Sequence, residues 1–195
     1  MRFIGFYDYT VILTYLSLLS ALLGMGLSFQ GRFGAAILCL CFSGICDGFD
    51  GTVARSKKNR TDDEKAFGIQ IDSLCDSVSF GVFPAVLCYC MGLRGVLGSA
   101  ICMAYALCAV IRLGFFNVLE ANRQKTESGS NKTYRGMPVT TISMLLPPVF
   151  LLNYILSTGA FTAVLHVLMA VSAFLFVLDF SMKKIDWLAL LRGKK

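Results

Sequence analysis

The sequence predicts an all-α, polytopic integral membrane protein with six transmembrane helices, folded as a single domain over residues 1–195. Apolar residues make up 56% of the chain and charged residues only 15%, whereas soluble domains carry about a quarter charged residues. The charges are also clustered, since residues 11–29 contain none, and a helix of about 20 apolar residues crosses the hydrocarbon core of a bilayer. These observations indicate that most of the chain lies in a lipid bilayer.

Six apolar segments are long enough for this role and account for most of the chain. They are residues 11–29, 33–54, 68–91, 95–118, 137–157 and 159–179. Before the third segment, Thr61 and Glu64 have the Ser/Thr-x-x-Glu spacing of a capping box, which predicts that this helix begins near Asp62. Pro84 is expected to bend the same helix farther along.

Basic residues predict the orientation in the membrane. Lysine and arginine accumulate in the polar stretches 55–67 and 120–136 and again after residue 179, and such residues favour the cytoplasmic side. Both termini are therefore expected in the cytoplasm, in a multi-pass protein of the cell membrane. Anionic lipid headgroups are sufficient partners for the net charge of +6, and no nucleic-acid partner is predicted.

Four aspartates are the most informative residues, because each lies in a segment that otherwise resembles a membrane span. Asp47 and Asp50 are three residues apart and Asp72 and Asp76 are four apart, so each pair occupies one helix face. A charged side chain at mid-membrane costs roughly 2.5–3.5 kcal/mol on insertion scales, so four unpaired carboxylates require compensation.

Depth brings the two pairs together. Asp50 lies five residues before Arg55, so it is placed roughly 7–8 Å below the cytoplasmic end of the second helix. Because the second and third helices are antiparallel and joined by a cytoplasmic loop, all four carboxylates are expected to converge near one surface. Oxygen ligands without a compensating cation favour Mg²⁺ or Mn²⁺, with two ions as the expected number.

Two other interpretations of these features remain open. Carboxylates within the membrane also mark cation transport pathways, although a transporter predicts acids spread over the membrane depth rather than clustered at one level. Gly44, Gly48 and Gly51 leave a smooth strip beside the first pair of aspartates, which suits either a closely packed helix or a bound nucleotide.

The strings DGFDGTVAR (47–55) and GIQIDSLCD (68–76) resemble the signature of the CDP-alcohol phosphotransferase family, D-x-x-D-G-x-x-A-R followed by G-x-x-x-D-x-x-x-D. Every specified position is present. The 12 residues between Arg55 and Gly68 make a longer spacer than is usual in the family. The resemblance also implies six helices and a homodimer.

The resemblance implies a reaction and a role for each residue of the motif. The four aspartates would hold two Mg²⁺ or Mn²⁺ ions on the diphosphate of CDP-diacylglycerol, and Asp76 would also accept the proton of the attacking hydroxyl group. CMP would then leave from the phosphatidyl group. The residues that the resemblance places at the nucleotide are Thr14, Gly51, Ala54, Arg55 and Gly68. For Thr14, ordinary helix packing is an equal alternative.

Three further strings carry a closer resemblance: FGIQIDSLCDSVSFGVFPA (67–85), RLGFFN (112–117) and RGMPVTT (135–141). In them the chain is similar to bacterial phosphatidylserine synthases within the family, which implies L-serine as the acceptor. Arg112 and Arg135 are predicted to bind the serine carboxylate, with Asn117 adding a polar contact, because a guanidinium binds a carboxylate with two parallel hydrogen bonds. Phe115 stands where that subfamily is expected to have a second arginine. Another acceptor, glycerol 3-phosphate or inositol phosphate, is the alternative.

Overall fold

A computed structural model describes residues 5–6, 9–57, 61–126 and 133–183. Its α-helices are α1 (Ile12–Phe29), α2 (Phe33–Ser56), α3 (Asp62–Asp76), α4 (Phe83–Met91), α5 (Gly95–Thr126), α6 (Ile142–Leu151) and α7 (Thr158–Val177). Short 3-10 turns precede α1 at Tyr9–Val11 and enclose α6 at Val139–Thr141 and Leu152–Tyr154. A π-helical turn at Ser77–Val82 joins α3 to α4, so that these two helices form one continuous span.

The prediction of an all-α membrane protein with six helical segments is confirmed. Five of the segments, formed by α1, α2, α3–α4, α5 and α7, are long and apolar enough to cross a membrane. The remaining segment, Val139–Tyr154, is apolar but shorter. Its 3-10 turns rise about 2 Å per residue instead of about 1.5 Å, which extends it to roughly 27 Å.

One small element departs from the predicted helices. Thr133–Arg135 (β1) pairs antiparallel with Ser181–Lys183 (β2), and Arg135 lies opposite Ser181. Gly136 follows β1 with a φ of +74° and donates its N–H to the Phe180 carbonyl at 2.6 Å. The sequence predicts a loop and a tail in these two regions, because three-residue strands have no periodic pattern to detect.

Helix α1 has one face of small residues and one face of large apolar ones. Its buried residues recur at alternating spacings of three and four and are Thr14, Ser17, Ala21, Gly24 and Ser28. Its large side chains, such as Leu19 and Leu23, are exposed, as expected of a surface against lipid. Small side chains allow α2 to approach closely, and two reciprocal hydrogen bonds join the helices, Ser17 Oγ to the Ser43 carbonyl at 3.3 Å and Ser43 Oγ to the Ser17 carbonyl at 2.9 Å.

The continuous α3–α4 span is the central helix of the bundle. In its most apolar window 61% of the residues are buried, against about a third in each other candidate span. Phe80, Phe83 and Leu87 on this span are fully buried in the apolar core. Two of the four aspartates therefore lie on the best-packed helix of the molecule.

The start of α3 agrees with the sequence prediction. Glu64 donates its backbone N–H to Thr61 Oγ1 at 3.2 Å, and the Glu64 carboxylate accepts the Thr61 backbone N–H at 2.9 Å. The same Glu64 carboxylate also accepts a hydrogen bond from Lys57 Nζ at 3.0 Å. The capping box thus fixes where α3 begins, and the ion pair connects this point to the end of α2.

Candidate metal and active site

The structure brings the acidic residues of two antiparallel helices together. One carboxylate oxygen from each of Asp47, Asp50 and Asp72 lies within 4.8 Å of the others. Asp47 and Asp50 lie near the end of α2 that is predicted to face the cytoplasm. Asp72 lies on α3, about two turns beyond the capping box. The expected convergence of the two pairs is therefore present in the fold.

Asp76, the last residue of α3, is the fourth acid of the cluster. It is only 7% exposed, and its carboxyl group lies within hydrogen-bonding reach of Asp47, while Asp72 makes the same approach to Asp50. The four residues thus form two cross-helix pairs, one from α2 and one from α3 in each. Such close pairs of acids repel one another unless protons or cations lie between them.

The cluster fits a divalent cation. Asp72 Oδ1 is buried and has no hydrogen-bond partner among the described residues, although a buried oxygen without a partner is costly. A cation held by carboxylates supplies the missing partner, and a set of oxygen ligands suits Mg²⁺ or Mn²⁺. The residues that would hold such ions are Asp47, Asp50, Asp72 and Asp76.

The glycines beside the first acidic pair have different surroundings. A side chain at Gly44 would collide with Ser143 of α6, with Cβ atoms 2.7 Å apart, so Gly44 permits helix packing. At Gly48, one turn nearer the C-terminal end of α2, nothing lies within 4 Å of where a Cβ would stand. The packing interpretation therefore applies at Gly44, whereas the surface at Gly48 is open.

The residues predicted at the nucleotide occupy separate environments. Gly51 on α2 and Gly68 on α3 are half-buried near the cluster, whereas Thr14 is 5% exposed and lies on the small-residue face of α1. The backbone of Ala54 and Arg55 belongs to the last turns of α2. The side chains of these two residues lie outside the described part of the structure.

Arg112 and Asn117, both predicted to bind the acceptor, have different contacts. Arg112 is 7% exposed, donates from Nε to the Met137 carbonyl at 3.3 Å and experiences the charge of Asp179. Together with Phe115 and Asp179 it lines a cavity of about 290 Å³ at the end of α7. The backbone of Arg135 lies in β1, and its side chain is outside the described residues.

Asn117 faces α3 instead. Its Oδ1 accepts a hydrogen bond from Ser73 Oγ at 2.6 Å, and its Nδ2 donates to Gln70 Oε1 at 3.4 Å. Ser73 directly follows Asp72, so this amide network borders the acidic cluster. Ser73 and Gln70 are not among the site residues predicted from the sequence. Their spacing of three residues places them on one face of α3, but their common partner, Asn117, lies 44 residues or more along the chain.

The fold and the cluster define a class of protein, a helical membrane protein with an acidic, oxygen-rich centre on the first half of its central helix. Residues 9–183 match the family described as CDP-alcohol phosphatidyltransferase, and the chain belongs to this family. No solved structure gave a significant match.

Several characterised proteins are similar in sequence. The chain is 31% identical over 144 residues to the archaetidylserine synthase of Methanothermobacter thermautotrophicus, covering 73% of this chain and 58% of that protein. It is 38% identical over 112 residues to the CDP-diacylglycerol–serine O-phosphatidyltransferase of Saccharomyces cerevisiae, covering 56% and 38%. It is 32% identical over 119 residues to the Bacillus subtilis protein of the same name, covering 60% and 64%. The chain spans roughly two fifths to two thirds of the length of these relatives.

Proposed function

We propose that this protein transfers a phosphatidyl group from CDP-diacylglycerol to L-serine, giving phosphatidylserine and CMP. The observation that supports this most strongly is the cluster of acids contributed by α2 and α3, because it coincides with the family motif and contains a buried carboxylate oxygen without a partner. The same clustering at one level argues against a transport pathway, which would distribute acids through the membrane.

The four aspartates have the chemistry that this transfer requires. Divalent ions bound there would neutralise the diphosphate and stabilise charge on the attacking and leaving oxygens. Asp47, Asp50, Asp72 and Asp76 would hold the ions and, through them, orient the lipid-linked phosphate beside the open surface at Gly48.

Asp76 is proposed to act as the general base. Its carboxylate would accept the proton of the serine hydroxyl while the serine oxygen forms a bond to the lipid-side phosphorus. The bond from that phosphorus to the CMP oxygen breaks, and CMP leaves with the electron pair. Deep burial on the central helix excludes water from this carboxylate, which limits hydrolysis of the activated lipid.

Serine is proposed as the acceptor because all three relatives described above have serine in their names. Arg112, Asn117 and Arg135 remain the proposed acceptor residues, and Ser73 and Gln70 are added because they hold Asn117 beside Asp72. Gly51, Ala54, Arg55, Gly68 and Thr14 remain the proposed nucleotide residues.

The proposed reaction also implies an orientation and an assembly. Lysine and arginine cluster in the polar stretches next to the acidic cluster, and nucleotides such as the CMP product are cytosolic compounds, so the acidic cluster and both termini are proposed to face the cytoplasm of the cell membrane. A homodimer is proposed on the resemblance to the family. Chemical cross-linking in native membranes, with a single band at the monomer mass as the contrary result, tests the homodimer.

A competition assay tests the choice of acceptor. Purified protein receives CDP-diacylglycerol, Mg²⁺ or Mn²⁺ and an equimolar mixture of isotopically labelled L-serine, glycerol 3-phosphate and inositol phosphate, and the lipid products are identified by mass spectrometry. Labelled phosphatidylserine is the expected main product. A phosphatidylglycerol phosphate or phosphatidylinositol phosphate product would overturn the acceptor, and no transfer to any alcohol would overturn the reaction.

A further inference from the structure

A π-helical turn follows Asp76 directly on the central helix. Asp76 is the last residue of α3, and the turn extends over Ser77–Val82 before α4 begins. Phe83 closes it by donating its backbone N–H to the Val78 carbonyl, five residues back instead of four. A π-turn widens the helix locally, is rarely stable by itself, and occurs frequently at functional sites.

Pro84 explains why the turn forms at this position. In a regular helix the Phe80 carbonyl would accept the N–H of residue 84, but proline has no N–H to donate. The hydroxyl of Tyr105 on α5 donates to the Phe80 carbonyl instead, at 2.7 Å, and Tyr105 is fully buried. The ring of Tyr105 packs against Phe176 of α7, with ring centroids 5.3 Å apart, which holds the hydroxyl in place.

Two further contacts restrain the same turn. Ser17 of α1 lies within hydrogen-bond distance of Ser79, with oxygens 3.5 Å apart, so α1 also contacts the turn. Gly81 lies against α5, and a Cβ there would stand 3.2 Å from the Ala109 Cβ. The turn is thus held from two sides, immediately beyond the aspartate that closes the acidic cluster.

We propose that this turn sets the position of Asp76 relative to Asp47, and that Tyr105 is a positioning residue that maintains the turn. The Asp76 side chain reaches Asp47 only when α3 presents it at a particular angle. One extra residue in the helical turn changes that angle. The inference rests on the proposed function only in taking Asp76 as a metal ligand.

The test is Mn²⁺ binding by the purified protein without substrate, measured by electron paramagnetic resonance of the free ion. Tyr105→Phe removes the hydroxyl and keeps the ring, so we expect Mn²⁺ affinity to fall about tenfold, because the buried Phe80 carbonyl loses its donor. Tyr89→Phe on α4 is the matched control, since Tyr89 is exposed, and its affinity should equal that of the wild type.

A second variant separates position from stability. Pro84→Ala restores an N–H for the Phe80 carbonyl and favours a regular helix, so it should also weaken Mn²⁺ binding while the protein elutes and melts as a folded species. For both variants we expect kcat to fall more than the KM for CDP-diacylglycerol rises. Wild-type Mn²⁺ affinity in both variants would overturn the positioning role. Absence of Mn²⁺ binding by the wild type would instead overturn the metal site itself.

Discussion

The carboxylate of Asp72 combines two properties that are costly for a single residue in a membrane helix. One of its oxygens is buried without a hydrogen-bond partner among the described residues, and two other acids lie within 4.8 Å of its ligand atom. Either property alone destabilises the fold by an amount on the order of a few kcal/mol. A cation bound at this carboxylate would remove both costs at once.

Replacing this carboxylate by an amide should abolish most of the activity. Asp72→Asn keeps the size of the side chain and removes its charge, so CMP release should fall on the order of a hundredfold or more at equal protein level. Asp63→Asn is the matched control, because Asp63 is an exposed acid in the first turn of the same helix, and it should retain wild-type activity. Full turnover by the Asp72→Asn protein would contradict the metal centre.

Arg112 tests the acceptor at the same scale. Lysine keeps the charge but has no planar pair of donors for a carboxylate, so Arg112→Lys should raise the KM for L-serine about tenfold. The KM for CDP-diacylglycerol should stay within about twofold, since Arg112, on α5, lines the cavity at the end of α7 and none of the four aspartates lines that cavity. Equal increases in both constants would show that Arg112 maintains the fold through its hydrogen bond to Met137 instead.

The site between α2 and α3 depends partly on local sequence patterns and partly on tertiary contacts. Three features were predictable from sequence, because each has a short-range cause: the apolar spans, the capping box at Thr61 and the spacing of the paired aspartates. The β1–β2 pair and the partners of Asn117 were not, because each depends on residues far apart in the chain. The π-turn after Asp76 was not either, because it depends on Tyr105 of α5 as well as on the nearby Pro84. The proline at position 84 predicted a bend but not the π-turn that precedes it.

Two neighbouring glycines on α2 separate packing from substrate binding. Gly44→Ala should lower the melting temperature, because the new Cβ collides with Ser143 of α6. Gly48→Ala has open space, so it should leave the melting temperature unchanged and raise the KM for CDP-diacylglycerol. Thermal melts in detergent and initial rates measure the two effects, and a destabilised Gly48→Ala protein with normal KM would place no substrate at this face.

On the scale of the whole molecule, the bundle surrounds one central span with helices that expose large apolar side chains outward. Such a surface requires lipid, and the polar ends of the spans then decide which face of the membrane the acidic cluster approaches. The sequence predicts the class and the orientation through charge placement, and it predicts the depth of Asp50 from its distance to Arg55. The contacts among the four acids follow only from how α2 and α3 pack.

Site-directed labelling tests this orientation. In a background that lacks the eight native cysteines, a cysteine at Asp63 should react with a membrane-impermeant maleimide only in inside-out vesicles. A cysteine at Gln30, exposed between α1 and α2 at the other end of the bundle, should react only in intact cells. Reversed labelling would place the cluster away from cytosolic nucleotides.

CMP release by the purified protein from CDP-diacylglycerol, followed with and without L-serine and with and without EDTA, tests the metal-dependent transfer to serine. We expect release that requires serine, stops with EDTA and returns when Mg²⁺ or Mn²⁺ is added in excess. Serine-dependent release that persists in EDTA would contradict the metal centre formed by Asp47, Asp50, Asp72 and Asp76.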